Sequence, residues 1–230
     1  MTSALPFEPY GYQRAAAETF VKAVVRDRAT RALIVLPTGC GKTRTAYLIA
    51  FGISKRTLFL AHTDQLVAQP EREVRSLFPD VRVGVVKAQR DDVGAAFVIA
   101  SVQTLKNQER LEDLVHSQEH CGSFDLVIVD EAHHAIEGSA YQKVVDAFPG
   151  RPVLGLTATP ERTDQKPIGK VFTSGILFRL TPKEAMDARD PGPFIVPISD
   201  GDGNVGQSAR ILVPNADLRA VPRAADAGKA

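Results

Sequence analysis

Residues 31–51 read RALIVLPTGCGKTRTAYLIAF and decide the fold. The stretch begins with an apolar run at 32–36 that is long enough for a buried strand. Residues 37–41, PTGCG, are too rich in turn formers to continue that strand. A helical stretch follows at 42–52, and its final glycine can end a helix in the left-handed conformation. A strand, a glycine loop and a helix in this order predict a phosphate-binding loop.

The loop contains the residue types that binding of a nucleoside triphosphate requires. Gly39 and Gly41 allow the backbone to curl so that its N–H groups point inward. The helix that begins near Lys42 adds unpaired N–H groups and the positive end of its dipole. Lys42 can contact the β- and γ-phosphates, and the hydroxyl of Thr43 can ligate Mg²⁺. We therefore predict that ATP is bound by consecutive residues of this loop: Pro37, Thr38, Gly39, Cys40, Gly41, Lys42 and Thr43.

One position departs from the general pattern G-x-x-x-x-G-K-[ST], which has a glycine five residues before the second glycine. Leu36 occupies that position in this chain. The alternative interpretation is a chance Gly-Lys-Thr turn between a strand and a helix. The flanking strand and helix favour the phosphate loop, because they are the context that the motif requires.

Length and composition set the broad class of the protein. With 230 residues and 44% hydrophobic residues, the chain can form one large α/β domain, or one domain plus a tail. The net charge of +1 gives no argument for a nucleic-acid or membrane surface. Two cysteines are too few for a framework of disulfide bonds. The position of Cys40 inside the phosphate loop is consistent with a reducing compartment. No apolar run approaches the roughly 18–20 residues of a membrane span, so we expect a soluble cytoplasmic protein with no membrane partner.

Short apolar strands alternate with helices along most of the chain. The apolar runs predict strands at 32–36, 57–61, 81–85, 96–100, 126–129 and 153–156. Helical patterns predict helices at 10–28 and 42–52, a helix capped by Thr63 and kinked or restarted at Pro70, and helices around 111–115 and 141–148. Repeated strand–helix–strand units indicate an α/β fold with a mainly parallel central sheet. Right-handed crossovers place the carboxyl ends of the strands at one edge, where ligands bind in such sheets.

A second chemical motif, DEAH at 130–133, directly follows an apolar strand. Asp130 lies where a Mg²⁺ carboxylate is expected, and Glu131 is positioned to take a proton from an attacking water as a general base. Adjacent carboxylates usually belong to a solvated loop, but the phosphate loop upstream and the buried strand favour a functional pair. His133 and His134 could suggest a metal site instead, although no further cluster of His and Cys completes a ligand set.

Gln13 lies upstream of the phosphate loop, in the segment YGYQR. Its carboxamide offers the donor and the acceptor that the N7 and N6 edge of adenine requires. The alternative is an ordinary polar residue at the N-terminus of a helix. The spacing alone favours this second interpretation.

These motifs resemble those of the first motor lobe of a superfamily 2 helicase of the DEAH type, which has a RecA-like fold with three layers. The similarity covers roughly residues 5–198, and the ATP-driven DNA translocases of repair and restriction systems resemble this chain most. The segments that carry it are Gln13 in YGYQR, LPTGCGKT at 36–43, AHT at 61–63 followed by Gln65 and Leu66, SVQTL at 101–105, DEAH at 130–133, and LTATP at 156–160 continued by Arg162 and Asp164. A replaced first glycine is common in the family, so Leu36 is no objection.

The resemblance implies a role for each matched residue. Lys42 and Thr43 would hold the phosphates and Mg²⁺, Asp130 would bind Mg²⁺, Glu131 would activate water, and Gln13 would read adenine. Coupling of the nucleotide state to the grip on nucleic acid would fall to His133, Thr157 and Thr159. The phosphate backbone of one strand would be held by Thr63, Gln103 and Thr104, without sequence preference. Without the resemblance, a helix cap at Thr63 and a plain loop at 103–104 would be the preferred interpretations.

The final third of the sequence is less regular. We expect a strand at 172–180, a short helix at 182–188 and a strand at 194–198, so that the domain spans 1–198. Residues 199–230 are rich in Gly, Asp, Ala and Pro, which predicts a disordered tail or a linker remnant. The segment 188–193, ARDPGP, departs from the family pattern and puts the strand at 194–198 in doubt.

The arginines that the family's second lobe contributes have no counterpart after Pro160, since no Gln-Gly-Arg-x-x-Arg segment occurs there. Three interpretations follow. The chain is an ATP-binding lobe that works with a second lobe on another chain, a separate ATP-dependent module that grips nucleic acid, or a truncated fragment. We expect DNA as the polymer, and RNA stays open because 7% aromatic residues and the absence of Trp give no stacking platform to interpret.

Overall fold

The computed structural model describes residues 6–28, 30–159 and 168–188. Eight strands form one sheet, and they are β1 Arg31–Val35, β2 Thr57–Ala61, β3 Val83–Lys87, β4 Arg90–Asp91, β5 Phe97–Ser101, β6 Leu126–Val129, β7 Val153–Thr157 and β8 Ile176–Arg179. The α-helices are α1 Gly11–Arg26, α2 Lys42–Ile53, α3 Ala68–Leu77, α4 Val102–Leu105, α5 Gln108–Cys121, α6 Ala140–Asp146 and α7 Pro182–Asp187. Two single turns of 3₁₀-helix lie at Ala132–His134 and Ile168–Lys170.

The strand order across the sheet is β4-β3-β5-β2-β6-β7-β1-β8. All pairs are parallel except β3 with β4, which form an antiparallel edge. The predicted α/β fold with a mainly parallel sheet is therefore confirmed. Since the strands are parallel, the segments that follow β1, β2, β5, β6 and β7 lie at one edge of the sheet.

The central strands are apolar along their whole length because helices cover both faces of the sheet. In β2, Phe59 and Ala61 pack into a cluster with residues of α1 and α2. The alternate residues, Leu58 and Leu60, pack into a second cluster with residues of α5 and α6. These two cores make the three layers that the resemblance implied.

The third helix begins later than the sequence suggested. Residues 63–67 form turns, with the N–H of Leu66 donating to the carbonyl of Thr63 at 3.1 Å, and α3 begins at Ala68. The prediction that Thr63 caps this helix is therefore wrong. Pro70 lies in the first turn of α3, where a missing N–H removes no helical hydrogen bond, so it causes no kink.

The predicted strand at 172–180 is shorter in the structure. Phe172 is buried in a turn, and β8 begins only at Ile176. A Cβ placed on Gly155 of β7 would lie 2.5 Å from the ring of Phe172, so the glycine leaves room for this ring to pack against the sheet. The predicted helix at 182–188 is present as α7, with Thr181 as its N-cap.

Several sequence predictions concern residues outside the described ranges. They are the strand at 194–198, the tail at 199–230, and the positions Pro160, Arg162 and Asp164. The division into 1–198 and 199–230 therefore stays a prediction. Among the described residues, no helix combines the length and the apolar character needed to cross a membrane.

Candidate functional site

The loop between β1 and α2 has the backbone of an anion site. Gly39 and Gly41 have φ angles of +82° and +71°, which lie in the left-handed region that glycine adopts without strain. Gly41 is the N-cap of α2, and no side chain caps this end of the helix. The N–H groups of the first turn of α2 are therefore available to bind an anion. The positive end of the helix dipole lies at the same place and favours negative charge.

The side chains of the loop differ in exposure. Thr38 and Gly39 are exposed, Pro37, Lys42 and Thr43 are half-buried, and Cys40 is buried. The N–H of Cys40 donates to the carbonyl of Pro37 at 3.1 Å and closes the turn. The thiol of Cys40 packs in the core.

Gln13 fixes the loop to the N-terminus of α1. The side chain is 2% exposed, and its Oε1 accepts from the N–H of Tyr10 at 3.0 Å. Its Nε2 donates to the carbonyls of Cys40 and Gly41 at 3.2 and 3.3 Å. Gln13 therefore has the helix-terminal role that spacing favoured, together with a contact to the phosphate loop that the sequence did not suggest. Reading adenine with the same amide hydrogens would require it to release these carbonyls, and that role stays a prediction.

Asp130 lies across from this loop, immediately after β6. Its N–H donates to the carbonyl of Leu60 at 3.0 Å, and its carboxylate accepts from the N–H of Glu131 at 3.0 Å. Burial, together with the charge of Glu131, raises the pKa of Asp130 from its ordinary value of 3.8 to about 6, although the charge of Lys42 acts in the opposite direction. A buried carboxylate next to a second acid is stabilised by a cation.

The donor set at this point fits Mg²⁺. The carboxylate of Asp130 and the hydroxyl of Thr43 are hard oxygen ligands, and one or two such groups plus phosphate oxygens and waters are what Mg²⁺ takes from a protein. His133 and His134 do not form a separate metal centre with the carboxylates. Within the described ranges, no three His, Cys, Asp or Glu side chains are grouped so that they could hold a metal ion.

Glu131 has a strained backbone. Its φ and ψ angles are both 49°, a left-handed conformation that costs a residue with a Cβ roughly 1–2 kcal/mol. The strain lies at the turn from β6 into the 3₁₀-helix Ala132–His134. Its Oε2 lies 3.2 Å from Nδ1 of His133.

The residues predicted to couple the nucleotide to the strand are grouped beside Glu131. Nδ1 of His133 also lies 3.3 Å from the hydroxyl of Thr157, which is fully buried at the end of β7. The hydroxyl of Thr157 donates to the carbonyl of Thr159 at 3.0 Å and accepts from its N–H at 3.2 Å. Glu131, His133, Thr157 and Thr159 are thus joined by direct contacts.

Two of the residues predicted to bind nucleic acid, Thr63 and Gln103, line one surface cavity of about 280 Å³. The other lining residues are His62, Val102, Lys106, His134, Ser139, Ala140 and Tyr141. Thr104 does not line the cavity. Its hydroxyl donates to Oδ1 of Asp64 at 3.0 Å and accepts from the N–H of Ala88 at 3.1 Å.

Sequence reasoning missed His62, Lys106 and Tyr141 as members of the site, and it considered His134 only as a metal ligand. A signal was available for His62, because it directly follows β2 at the edge where ligands bind. No comparable signal existed for Tyr141, since its position in α6 resembles that of any core aromatic residue.

The family of the chain follows from comparison with known proteins. Residues 6–162 match the family described as type III restriction enzyme, res subunit. The chain belongs to this family. The match includes the phosphate loop, the cavity and the DEAH motif, and it ends just past Thr159.

Relatives and solved structures agree with this assignment. The type I restriction enzyme EcoAI endonuclease subunit of Escherichia coli is 32% identical over 166 residues, which are 68% of this chain and 20% of that protein. The DNA 3'-5' translocase XPB2 of Sulfurisphaera tokodaii is 30% identical over 165 residues, which are 71% of this chain and 35% of that protein. The helicase domain of Pyrococcus furiosus Hef superposes with a TM-score of 0.58 at 27% identity, over 74% of this chain and 38% of that one.

The chain thus spans about a fifth to a third of the length of these curated relatives. It corresponds to the RecA-like ATP-binding lobe of superfamily 2 helicases. The resemblance to the first lobe of superfamily 2 helicases is confirmed, and the DEAH subtype stays a prediction.

Proposed function

We propose that this lobe binds ATP together with Mg²⁺ and hydrolyses it in response to a bound nucleic-acid strand, as part of a DNA translocase or helicase of the DEAH type. The observation that carries the proposal is the arrangement at the sheet edge. An uncapped helix N-terminus behind two left-handed glycines lies across from a buried carboxylate of raised pKa. This is the geometry of a site for a polyphosphate and a divalent cation.

The phosphates are held by the backbone N–H groups of residues 38–43 and by the ammonium of Lys42. Asp130 and Thr43 provide the oxygen ligands for the cation. When bound, the ion would supply positive charge against the phosphates, and Asp130 and Thr43 are the residues that would hold it. Lys42 and the cation compensate the charge of Asp130, whose burial otherwise favours the protonated carboxyl.

Glu131 takes the proton from the attacking water. Its carboxylate contacts His133 at 3.2 Å, and His133 contacts Thr157 at 3.3 Å. These contacts orient the general base and connect it to the segment after β7. We propose that Thr157, Thr159 and His133 transmit the state of the nucleotide to the grip on the strand.

The strand is proposed to pass over the cavity at the same sheet edge. Thr63 and Gln103 supply polar groups to it, and Lys106 adds a positive charge. To bind a phosphate oxygen, the hydroxyl of Thr104 would have to give up its hydrogen bonds with Asp64 and Ala88. Backbone contacts of this kind hold a strand without reading its sequence. DNA is proposed as the polymer because two relatives are a DNA translocase and a restriction enzyme subunit.

The remaining proposals concern the setting of the lobe. Two free cysteines, one of them buried in the phosphate loop, suit a reducing compartment, and we place the protein in the cytoplasm. A second helicase lobe, on this or another chain, would supply the arginines that the family brings to the γ-phosphate. Such arginines increase turnover by about 10³–10⁵-fold.

The test is ATP turnover by the purified chain with Mg²⁺, with and without single-stranded DNA, beside the Glu131→Gln variant. We expect slow turnover that DNA stimulates and that Glu131→Gln abolishes while ATP still binds. Glu119→Gln is the matched control, because Glu119 is an exposed acid on α5, away from the sheet edge. Equal turnover by Glu131→Gln would contradict the assignment of the base. Stimulation by RNA alone would contradict the choice of polymer.

A further inference from the structure

A continuous chain of aromatic rings joins the cavity to the general base. His62 and His134 line the cavity, and their rings stack with centroids 4.2 Å apart and planes 17° from parallel. His134 in turn packs against His133, with ring centroids 4.1 Å apart. His133 contacts Glu131 at 3.2 Å. Every step of this path is a direct contact.

The far side of the stack is anchored to the core. Nδ1 of His62 lies 3.1 Å from the hydroxyl of Tyr141, and the two rings are nearly parallel at 5.9 Å. Tyr141 is 3% exposed and belongs to the hydrophobic cluster under α6. Its burial raises the pKa of its hydroxyl, which therefore stays neutral. Tyr141 is a fixed point, whereas the half-buried rings of His62 and His134 face the cavity.

The three contributing segments are separate parts of the fold. His62 follows β2, the pair His133 and His134 lies in the 3₁₀-helix after β6, and Tyr141 lies in α6. All three segments line the cavity, so a ligand there would contact both histidine-bearing segments at once. Stacked rings transmit a displacement because packed side chains exchange between discrete arrangements instead of deforming gradually.

We propose that His62 and His134 are positioning residues, which adjust the Glu131 carboxylate through His133 when a nucleic-acid strand occupies the cavity. This inference rests on the proposed function and adds to it the route by which the strand acts on the ATP site. The residues His133, Thr157 and Thr159 link Glu131 to the segment after β7. The His62–His134 stack forms a second route, which starts at the cavity itself.

The test measures the coupling between the two ligands by binding alone. The dissociation constant of a non-hydrolysable ATP analogue with Mg²⁺ is determined with and without saturating oligothymidine. Coupling between two sites typically changes affinity about 5–150-fold, and the same factor must appear when oligothymidine binding is measured with and without the analogue. A general loss of stability or of affinity does not change this ratio.

We expect the ratio of the wild-type chain to fall toward one in His62→Ala and His134→Ala, while both variants still bind oligothymidine. His134→Phe should retain much of the ratio, because a phenyl ring preserves the stack. If His62→Ala does not fold, His62→Asn takes its place, since it keeps a polar group near Tyr141. His116→Ala is the control, because His116 is an exposed histidine on α5 and should keep the wild-type ratio.

Three results would overturn the inference. The first is an unchanged ratio in both alanine variants. The second is loss of oligothymidine binding by those variants, which would make His62 and His134 gripping residues. The third is a wild-type chain that binds both ligands with a ratio of one, which leaves the proposed ATP and strand sites intact. A wild-type chain that binds neither ligand would overturn the proposed function as well.

Discussion

At the scale of single residues, the buried carboxylate of Asp130 destabilises the fold while providing a ligand for the proposed cation. In the unfolded chain its carboxyl has an ordinary pKa, and in the folded chain burial and Glu131 raise that pKa to about 6. The folded state therefore binds a proton more tightly than the unfolded state. The contribution of Asp130 to stability decreases as the pH rises from about 4 to about 6 and is constant above that.

This difference predicts that Asp130→Asn stabilises the metal-free protein at neutral pH. The gain should be on the order of 2–3 kcal/mol at pH 7.5, because the amide carries no charge to bury. It should be much smaller at pH 4, where the carboxyl is protonated in the folded state and about half protonated in the unfolded state. Urea unfolding at the two pH values measures it. An equal gain at both pH values would show that charge is not the cause.

Gln13 connects two segments that are far apart in the sequence, and its replacement should affect both. Gln13→Leu removes the hydrogen bond to the N–H of Tyr10 and the two bonds to the loop. We expect a loss of about 0.5–2 kcal/mol in stability, as for other helix caps, and a weaker affinity for ATP. Calorimetric titration and thermal melting measure the two effects. Gln108→Leu, an exposed glutamine on α5, should change neither.

Residue types and spacing were sufficient to predict that Lys42, Thr43, Asp130 and Glu131 lie at one edge of the sheet, and their roles stay predictions. The sequence could not show what Gln13 binds, because the carbonyls of Cys40 and Gly41 are 27 and 28 positions away. The sequence could not show the hydrogen-bond partners of Thr104 for the same reason. Its partners Asp64 and Ala88 lie on other segments, and only the folded chain brings the three together.

At the scale of elements, one glycine determines how the segment before β8 packs. A Cβ on Gly155 would lie 2.5 Å from the ring of Phe172 and 2.6 Å from a methyl of Leu33. Both neighbours are buried, so the ring has little room to move. We predict that Gly155→Ala destabilises the fold by about 1–3 kcal/mol, as is usual for overpacking. Chemical denaturation measures this.

The matched control is Gly94→Ala. A Cβ at Gly94 meets no atom within 4 Å, so this variant should be neutral or slightly stabilising. Equal stability of the two variants would show that the Phe172 ring can move to accommodate a Cβ at position 155.

The elements that the sequence located correctly were those with continuous apolar runs, such as β2, β5 and β6. The predicted beginning of α3 was wrong because Thr63 has the chemistry of a helix cap but begins a turn that closes at Leu66, two residues before α3. The strand predicted at 172–180 began too early because Phe172, the buried apolar residue at its start, packs against Gly155 of β7 from a turn. The two-residue strand β4 is too short for any pattern.

At the scale of the whole molecule, parallel strands bring the phosphate loop, the acid pair, the coupling residues and the cavity to one edge of the sheet. This convergence could be predicted because it follows from the handedness of the connections. The ring stack between the cavity and Glu131 could not, since it depends on the packing of three segments.

A polypeptide of these 230 residues should bind ATP but leave a duplex intact. The described residues form one lobe, which would contact a bound nucleotide from one side only. Turnover should accordingly be slow, since the arginines of a second lobe contribute about 10³–10⁵-fold. A fluorescence assay of strand separation measures this directly. Processive unwinding by the purified monomer would refute it.

The measurement that tests the central claim most directly is a calorimetric titration of the folded chain with ATP and Mg²⁺, compared with Lys42→Ala. We predict that the variant keeps its fold and loses affinity by at least about tenfold, because a contact to a charged group contributes roughly 1.5–3 kcal/mol. Lys55→Ala, just beyond the C-terminal end of α2, should bind ATP as the wild type does. Unchanged affinity in a folded Lys42→Ala variant would contradict the assignment of this loop as the ATP site.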